Sequence, residues 1–172
     1  MAGALDAFYI DGIRHNVPFL SAIMENPRWQ TGSLSTGFIA EEFKDGFQGT
    51  ELSVELGNTL ASVACVLDNV ENRRKRHVSG QMNGKRISFA SRRVVKLGGD
   101  WHTVEIAHQT EKIVQIRLVD VADGERAIAS GWCPGNPVWT GEIDGRKVTV
   151  QVRPIPNGYR LASRGVVVDA YV

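Results

Sequence analysis

Apolar residues along this chain recur first at helical and then at strand spacing, and the change falls near residue 80. In the first part, Asn16 and Pro18 form an N-cap and early-helix signal, and Phe19, Leu20, Ile23 and Met24 follow at helical intervals. That helix is predicted to stop at Asn26-Pro27, because a residue before proline is pushed out of the α region. A second short segment, 36–43, carries Phe38, Ile39 and Phe43 and ends at Asp45-Gly46. From Thr50 the pattern becomes one long helix: Leu52, Leu56, Leu60, Val63, Ala64, Leu67 and Val70 recur at three and four, and Val54 and Val66 widen the stripe. Run to His77, it is about 40 Å long at 1.5 Å per residue. A rod this apolar on several sides needs an enclosing surface.

The second part supplies one. Asn83-Gly84, Asp123-Gly124, Asp144-Gly145 and Asn157-Gly158 are dipeptides that tolerate positive φ at both centres of a tight hairpin turn. Between them Val114, Ile116 and Leu118 alternate with Gln115 and Arg117; Val148, Val150 and Val152 with Thr149 and Gln151; Val166, Val168 and Ala170 with Asp169 and Tyr171. Seven to nine short antiparallel strands are enough to close into a barrel and so remove exposed sheet edges. The fold class expected is α+β: a long central helix, 50–77, surrounded by an antiparallel β-barrel of about eight strands, 85–172, with short helices before it. Phe19, Leu20, Ile23, Phe38 and Ile39 are more apolar than their short segments can bury. Frayed order or self-association is therefore expected near the amino end.

Composition adds mainly exclusions. With 172 residues, 42% hydrophobic and 23% charged, and a formal net charge of +1, the chain reads as one globular domain or slightly more. That balance speaks against nucleic acid as a partner. The run NRRKRH, 72–77, reads as cations meeting the negative end of the long helix. No apolar stretch approaches the roughly 20 residues that span a bilayer, so no membrane is expected. MAGALDAFYID lacks a basic segment followed by an apolar one, which points to the cytoplasm, or to the mitochondrial matrix in a eukaryote. Cys65 and Cys133 differ too much in setting to pair and read as reduced thiols, one of them buried.

The search for chemistry finds little. His102 and His108, six apart on a strand, share a face but stand about 20 Å apart at 3.3 Å per residue, too far to hold one metal. No phosphate loop occurs, Gly98-Gly99 before Asp100 is turn chemistry, and GSLSTG has the wrong spacing for a nucleophile elbow. No catalytic, cofactor-binding or metal-binding residue is expected. Trp29, Trp101, Trp132 and Trp139 read as core or interface anchors rather than as a ligand cleft.

The run ALDAFYIDGIRHNVPFLSAIMENPRWQTGSLSTGFI resembles the C-terminal end of the biotin carboxylase domain in α subunits of biotin-dependent acyl-CoA carboxylases. The positions that match are Ala4, Leu5, Gly12, Ile13, Asn16, Val17, Phe19, Leu20, Pro27, Trp29, Gly32, Thr36, Phe38 and Ile39. EEFKDGFQGTEL, the long helix and the strand-rich stretch ending LASRGVVVDAYV look like the propionyl-CoA carboxylase type of α subunit and its BT domain. In that domain a long helix is surrounded by an antiparallel barrel.

The resemblance implies a division into 1–45, the tail of a biotin carboxylase domain, and 46–172, a docking domain for the carboxyltransferase β subunit. It also implies a segment without catalytic residues, inside a ligase that uses biotin, ATP and Mg to carboxylate propionyl-CoA to methylmalonyl-CoA. The ATP loop of such subunits falls upstream of this stretch and the biotinyl lysine downstream. The remaining partners are the rest of the biotin carboxylase domain and the biotin carrier domain. For the docking surface, the irregular polar connection after the long helix is expected to serve: His77, Val78, Ser79, Gln81, Met82, Asn83, Lys85 and Arg86. Two other readings stay open. One is a segment of a methylcrotonyl-, geranyl- or acetyl-CoA carboxylase, and the other a small β-barrel that binds a hydrophobic ligand with the helix as a plug.

Overall fold

The computed structural model describes residues 2–76, 88–110 and 113–172. The expected docking residues His77, Val78, Ser79, Gln81, Met82, Asn83, Lys85 and Arg86, together with the Asn83-Gly84 turn, lie outside the described residues.

Four short helices come first: α1 (Ala2–Ala7), α2 (Val17–Glu25), α3 (Pro27–Gln30) and α4 (Phe38–Glu42). Asn26 ends α2 with ψ at 130°, as the proline rule requires. The same residue starts α3, because its side chain accepts from the Arg28 N–H at 2.8 Å and Pro27 takes the first helical position. α1 and α3 are too short to show a helical period in the sequence. This layer buries more of its apolar residues than its short segments suggest. Val17, Ile23 and Phe38 are buried, and Phe19 packs edge-on against Phe43 with ring centroids 5.0 Å apart. Ile39 stays exposed, as expected.

The long helix α5 runs Val54–Arg76, about 34 Å at 1.5 Å per residue. It starts four residues later than the periodicity suggested, because Ser53 caps it: Ser53 Oγ accepts from the Leu56 N–H at 3.3 Å. Val54, read as part of the apolar stripe, therefore sits at the open first turn and is 81% exposed. Deeper in, every residue from Leu60 to Leu67 is buried, which over two turns means burial on all sides. Even Ser62 is enclosed, its hydroxyl donating to the Asn58 carbonyl at 2.7 Å.

Eight strands form the enclosure: β1 (Arg92–Leu97), β2 (Asp100–Gln109), β3 (Ile113–Leu118), β4 (Glu125–Ser130), β5 (Val138–Ile143), β6 (Arg146–Ile155), β7 (Gly158–Ser163) and β8 (Val166–Tyr171). Each pairs antiparallel with the next, and β1 pairs with β8 through Lys96↔Tyr171 and Leu97↔Ala170 to close the barrel. The inner face repeats every second residue, as Val114, Ile116 and Leu118 show. With Val95, Val104, Trp139, Val150, Leu161 and the α5 residues it forms one core cluster. On the α5 side, Gly57 faces the His102 ring and Asp68 pairs with Arg93. Small residues at 57, 61 and 65 thus let the rod lie close to β1 and β2.

The turns follow the sequence only in part. Asp144 and Gly145 both have positive φ and join Ile143 to Arg146 as expected. Ile155 pairs directly with Gly158, so the next turn centres on Pro156 and Asn157 rather than on Asn157-Gly158. Proline fixes the first central φ and Asn157 takes the positive one at 61°.

Candidate functional site

Titratable residues are scattered. Among the described residues no group of three His, Cys, Asp or Glu side chains could hold a metal, and no helix is long and apolar enough to cross a membrane. His102 and His108 do not share a face, contrary to the spacing argument. A β-bulge between Ile106 and His108 inserts one residue in β2, which turns His108 outward opposite Gln115 while His102 faces α5. The tryptophans are dispersed as anchors: Trp139 is fully buried, Trp132 nearly so, Trp29 lies in the helical layer and Trp101 on the outer wall under Lys96. Cys65 sits inside the barrel, where burial pushes its thiol up to about 12, and Cys133 is exposed.

The barrel interior decides between a carrier and a scaffold. Trp139, Trp132, Val66, Val70, Val114 and Ile128 bound a space of about 40 Å³ between α5 and the strands. Ligand pockets typically offer about 300–1,000 Å³. Among the described residues the rod leaves no room for a hydrophobic ligand, and the plugged-carrier reading is set aside.

What the fold does build is a pair of ends and an outer joint. At the end where α5 finishes, Asn72 Nδ2 donates to Asp68 Oδ2 at 2.7 Å and Arg93 Nε meets the same oxygen at 3.1 Å. Lys75 Nζ donates to Asn72 Oδ1 at 3.2 Å. Tyr159 is buried beside Glu71, and that burial raises its phenol. The basic run 72–75 is therefore partly a polar collar around the barrel mouth. At the other end, a groove of about 920 Å³ lies against the first turns of α5, with Glu55, Arg126, Asp144, Lys147 and Arg164 along it.

The joint lies on the outer wall of β6–β8, where the N-terminal layer is fastened. Buried Asp6 accepts from the Arg164 backbone N–H at 2.8 Å and from Ser163 Oγ at 3.3 Å. Gln151 Nε2 donates to the carbonyls of Leu5 and Phe8 at 3.2 and 3.4 Å, and Asp11 pairs with Arg153. Arg153 stands directly opposite Arg160 across β6 and β7, a like-charge pairing that costs stability unless it is compensated. Asp11 answers the first arginine, and Asp169 answers the second through two bonds at 2.7 and 3.0 Å. That fork holds Asp169 below the usual carboxylate range. None of these residues carries a sequence signal, since Asp6 and Arg164 are far apart in the chain.

Burial raises the Asp6 carboxyl above its ordinary 3.8, outweighing the bonds that favour its ionised form. A carboxyl with a raised folded value binds its proton more tightly folded than unfolded. Its share of stability is present below 3.8 and is lost as pH rises through the folded value. Asp6→Asn is expected to flatten the stability-versus-pH curve in that window. Thermal melts of both proteins from about pH 3 to 7 read this directly, and parallel curves would refute it.

Comparison with known proteins places this geometry. Residues 60–172 match the family model described as propionyl-coenzyme A carboxylase BT domain. The chain is 34% identical over 98% of its length to a propionyl-CoA carboxylase alpha chain of Ruegeria pomeroyi, of which it covers 24%. It is 30% identical over 88% of its length to the mitochondrial propionyl-CoA carboxylase alpha chain of Caenorhabditis elegans and 28% over 88% to that of Mus musculus, covering 22% and 21% of them. It thus spans less than a quarter of the length of these relatives.

Proposed function

The chain belongs to the propionyl-coenzyme A carboxylase BT domain family, and from this premise we propose that it is the α-chain segment that docks a biotin carboxylase component onto a carboxyltransferase β subunit. Residues 1–45 are then the tail of the biotin carboxylase domain and 46–172 the docking domain. The assembled ligase uses biotin, ATP and Mg to carboxylate propionyl-CoA to methylmalonyl-CoA, with catalytic groups on other parts of the assembly. The solid interior carries this reading. A rod buried on every side from Leu60 to Leu67 makes a stiff body rather than a reaction chamber. A stiff body suits a module that fixes the distance a tethered biotin travels between two active sites. The fastening of α1 to the β7–β8 turn through Asp6 supports the same role, since it resists swinging of the N-terminal layer.

The test is a pull-down of the carboxyltransferase β subunit by the α chain, with and without residues 46–172. Loss of capture on deletion is expected. Capture that persists without the segment overturns the reading, and substrate choice among acyl-CoA esters is then read from the assembled enzyme.

A further inference from the structure

A cleft of about 180 Å³, open to solvent, separates the α1–α2 layer from the outer wall of β6–β8. Its sides are apolar: Ile10, Val17 and Pro18 from the layer, Ala162 and Val166 from the barrel. Arg153 and Arg160 also line it, directly opposite each other across β6 and β7, and so does His15. Its one lining carboxyl, buried Asp6, is engaged by Ser163 and the β7–β8 turn. Three residues of β7, from Arg160 to Ser163, separate the two charged ends by about 10 Å at 3.3 Å per residue.

The arginine pair is only partly answered. Arg160 spends Nε and Nη2 on Asp169, and Arg153 spends Nη2 on Asp11. Arg153 Nε and Nη1 and Arg160 Nη1 are left without a partner among the described residues. The two counter-ions also differ in standing. Asp169 is fixed in β8, whereas Asp11 reaches Arg153 from the exposed loop between α1 and α2. A single-point ion pair that is open to water is weak and exchangeable.

We infer that this cleft binds a short aliphatic monocarboxylate, which bridges Arg153 and Arg160 in place of Asp11 and lays its chain between Ile10, Val17, Pro18 and Ala162. Two oxygens meeting two guanidiniums relieve the like-charge apposition and use donors that are otherwise idle. The apolar sides favour a chain over a bare anion. Drug-sized ligands occupy about 300–1,000 Å³, so only a molecule of few heavy atoms fits. A dicarboxylate would carry its second charge towards Asp6, and an amine would meet the arginines. The occupant touches both the N-terminal layer and the barrel wall, so it tightens the joint that Asp6 fastens.

The experiment titrates the ¹⁵N-labelled chain with sodium butyrate at constant ionic strength, held with sodium chloride. The amide signals of Ile10, His15 and Val167 are expected to shift saturably, with a Kd of about 1 mM for so small a ligand. n-Butanol, which keeps the chain and lacks the charge, is expected to bind about tenfold more weakly or less, as is butyrate to Arg160→Gln. Asp11→Asn frees Arg153 from its competitor and is expected to tighten butyrate binding about threefold. Should Arg160→Gln not fold, the butanol and Asp11→Asn arms decide alone. Shifts that do not saturate overturn the inference, as do equal affinity for butanol and butyrate or an Asp11→Asn affinity no better than that of the parent.

Discussion

Leu60→Ala is expected to destabilise the protein by about 2–5 kcal/mol, the range for emptying a fully buried leucine site. Leu60 has 0% exposure and lies where α5 is covered on every side. Its surroundings are already braced by a closed ring of strands, which limits how far they can collapse into the hole. The measurement is a urea titration, with a lower midpoint and an unchanged slope. Val54→Ala is the control: that side chain is 81% exposed, and a change within about 0.5 kcal/mol is expected. If Leu60→Ala proved as mild as the control, the rod could not be enclosed, and the proposal of a stiff docking module would lose its basis.

The second large effect is expected at Gly141, on the inward-facing side of β5 between Trp139 and Ile143, where the strand meets β4. A Cβ built there would stand 2.5 Å from the Ala129 carbonyl oxygen and 2.7 Å from Cη2 of the Trp139 ring. Neither neighbour can move cheaply, since one is backbone and the other is a large ring locked in the core. The β4–β5 join is also short, held through Ile128↔Ile143, Ala129↔Glu142 and Ser130↔Gly141. Gly141→Ala must therefore push the strands apart or eject the indole, and is expected to cost about 1–3 kcal/mol as overpacking. Gly131→Ala adds a Cβ with nothing within 4 Å and serves as the neutral comparison. Near-UV circular dichroism would report displaced Trp139, and equal stability of the two variants would refute the crowding argument.

The helix and the strands were legible because each buries a face at its own period. Apolar residues at three and four that widen to several sides of a helix mark a buried rod, and alternation at two marks a half-buried strand. Closure of the barrel followed from counting strands that each needed a covered edge. Family membership was legible too, through motifs in the first 45 residues and the strand-rich end. The turns were less so. Asn157-Gly158 and Asp144-Gly145 carry equal local signals, but Pro156 moved one turn by a residue, because register is fixed by what the neighbouring strands bury.

The histidines show a sharper failure. Sequence spacing put His102 and His108 on one face, and a single bulged residue separated them. Bulges answer to sheet curvature, which no local pattern encodes. The fastening of the N-terminal layer was equally hidden. Asp6 and Arg164, or Asp11 and Arg153, are ordinary surface residues until the chain brings their elements together.

By itself the sequence determined that one apolar helix must be wrapped by paired strands, since burial of apolar surface depends on composition and period alone. Only the tertiary structure decided how completely the rod fills the ring and which polar groups fasten the amino end to the wall. Those outcomes depend on side chains distant in sequence meeting at fixed distances, and that information exists only after the barrel has closed.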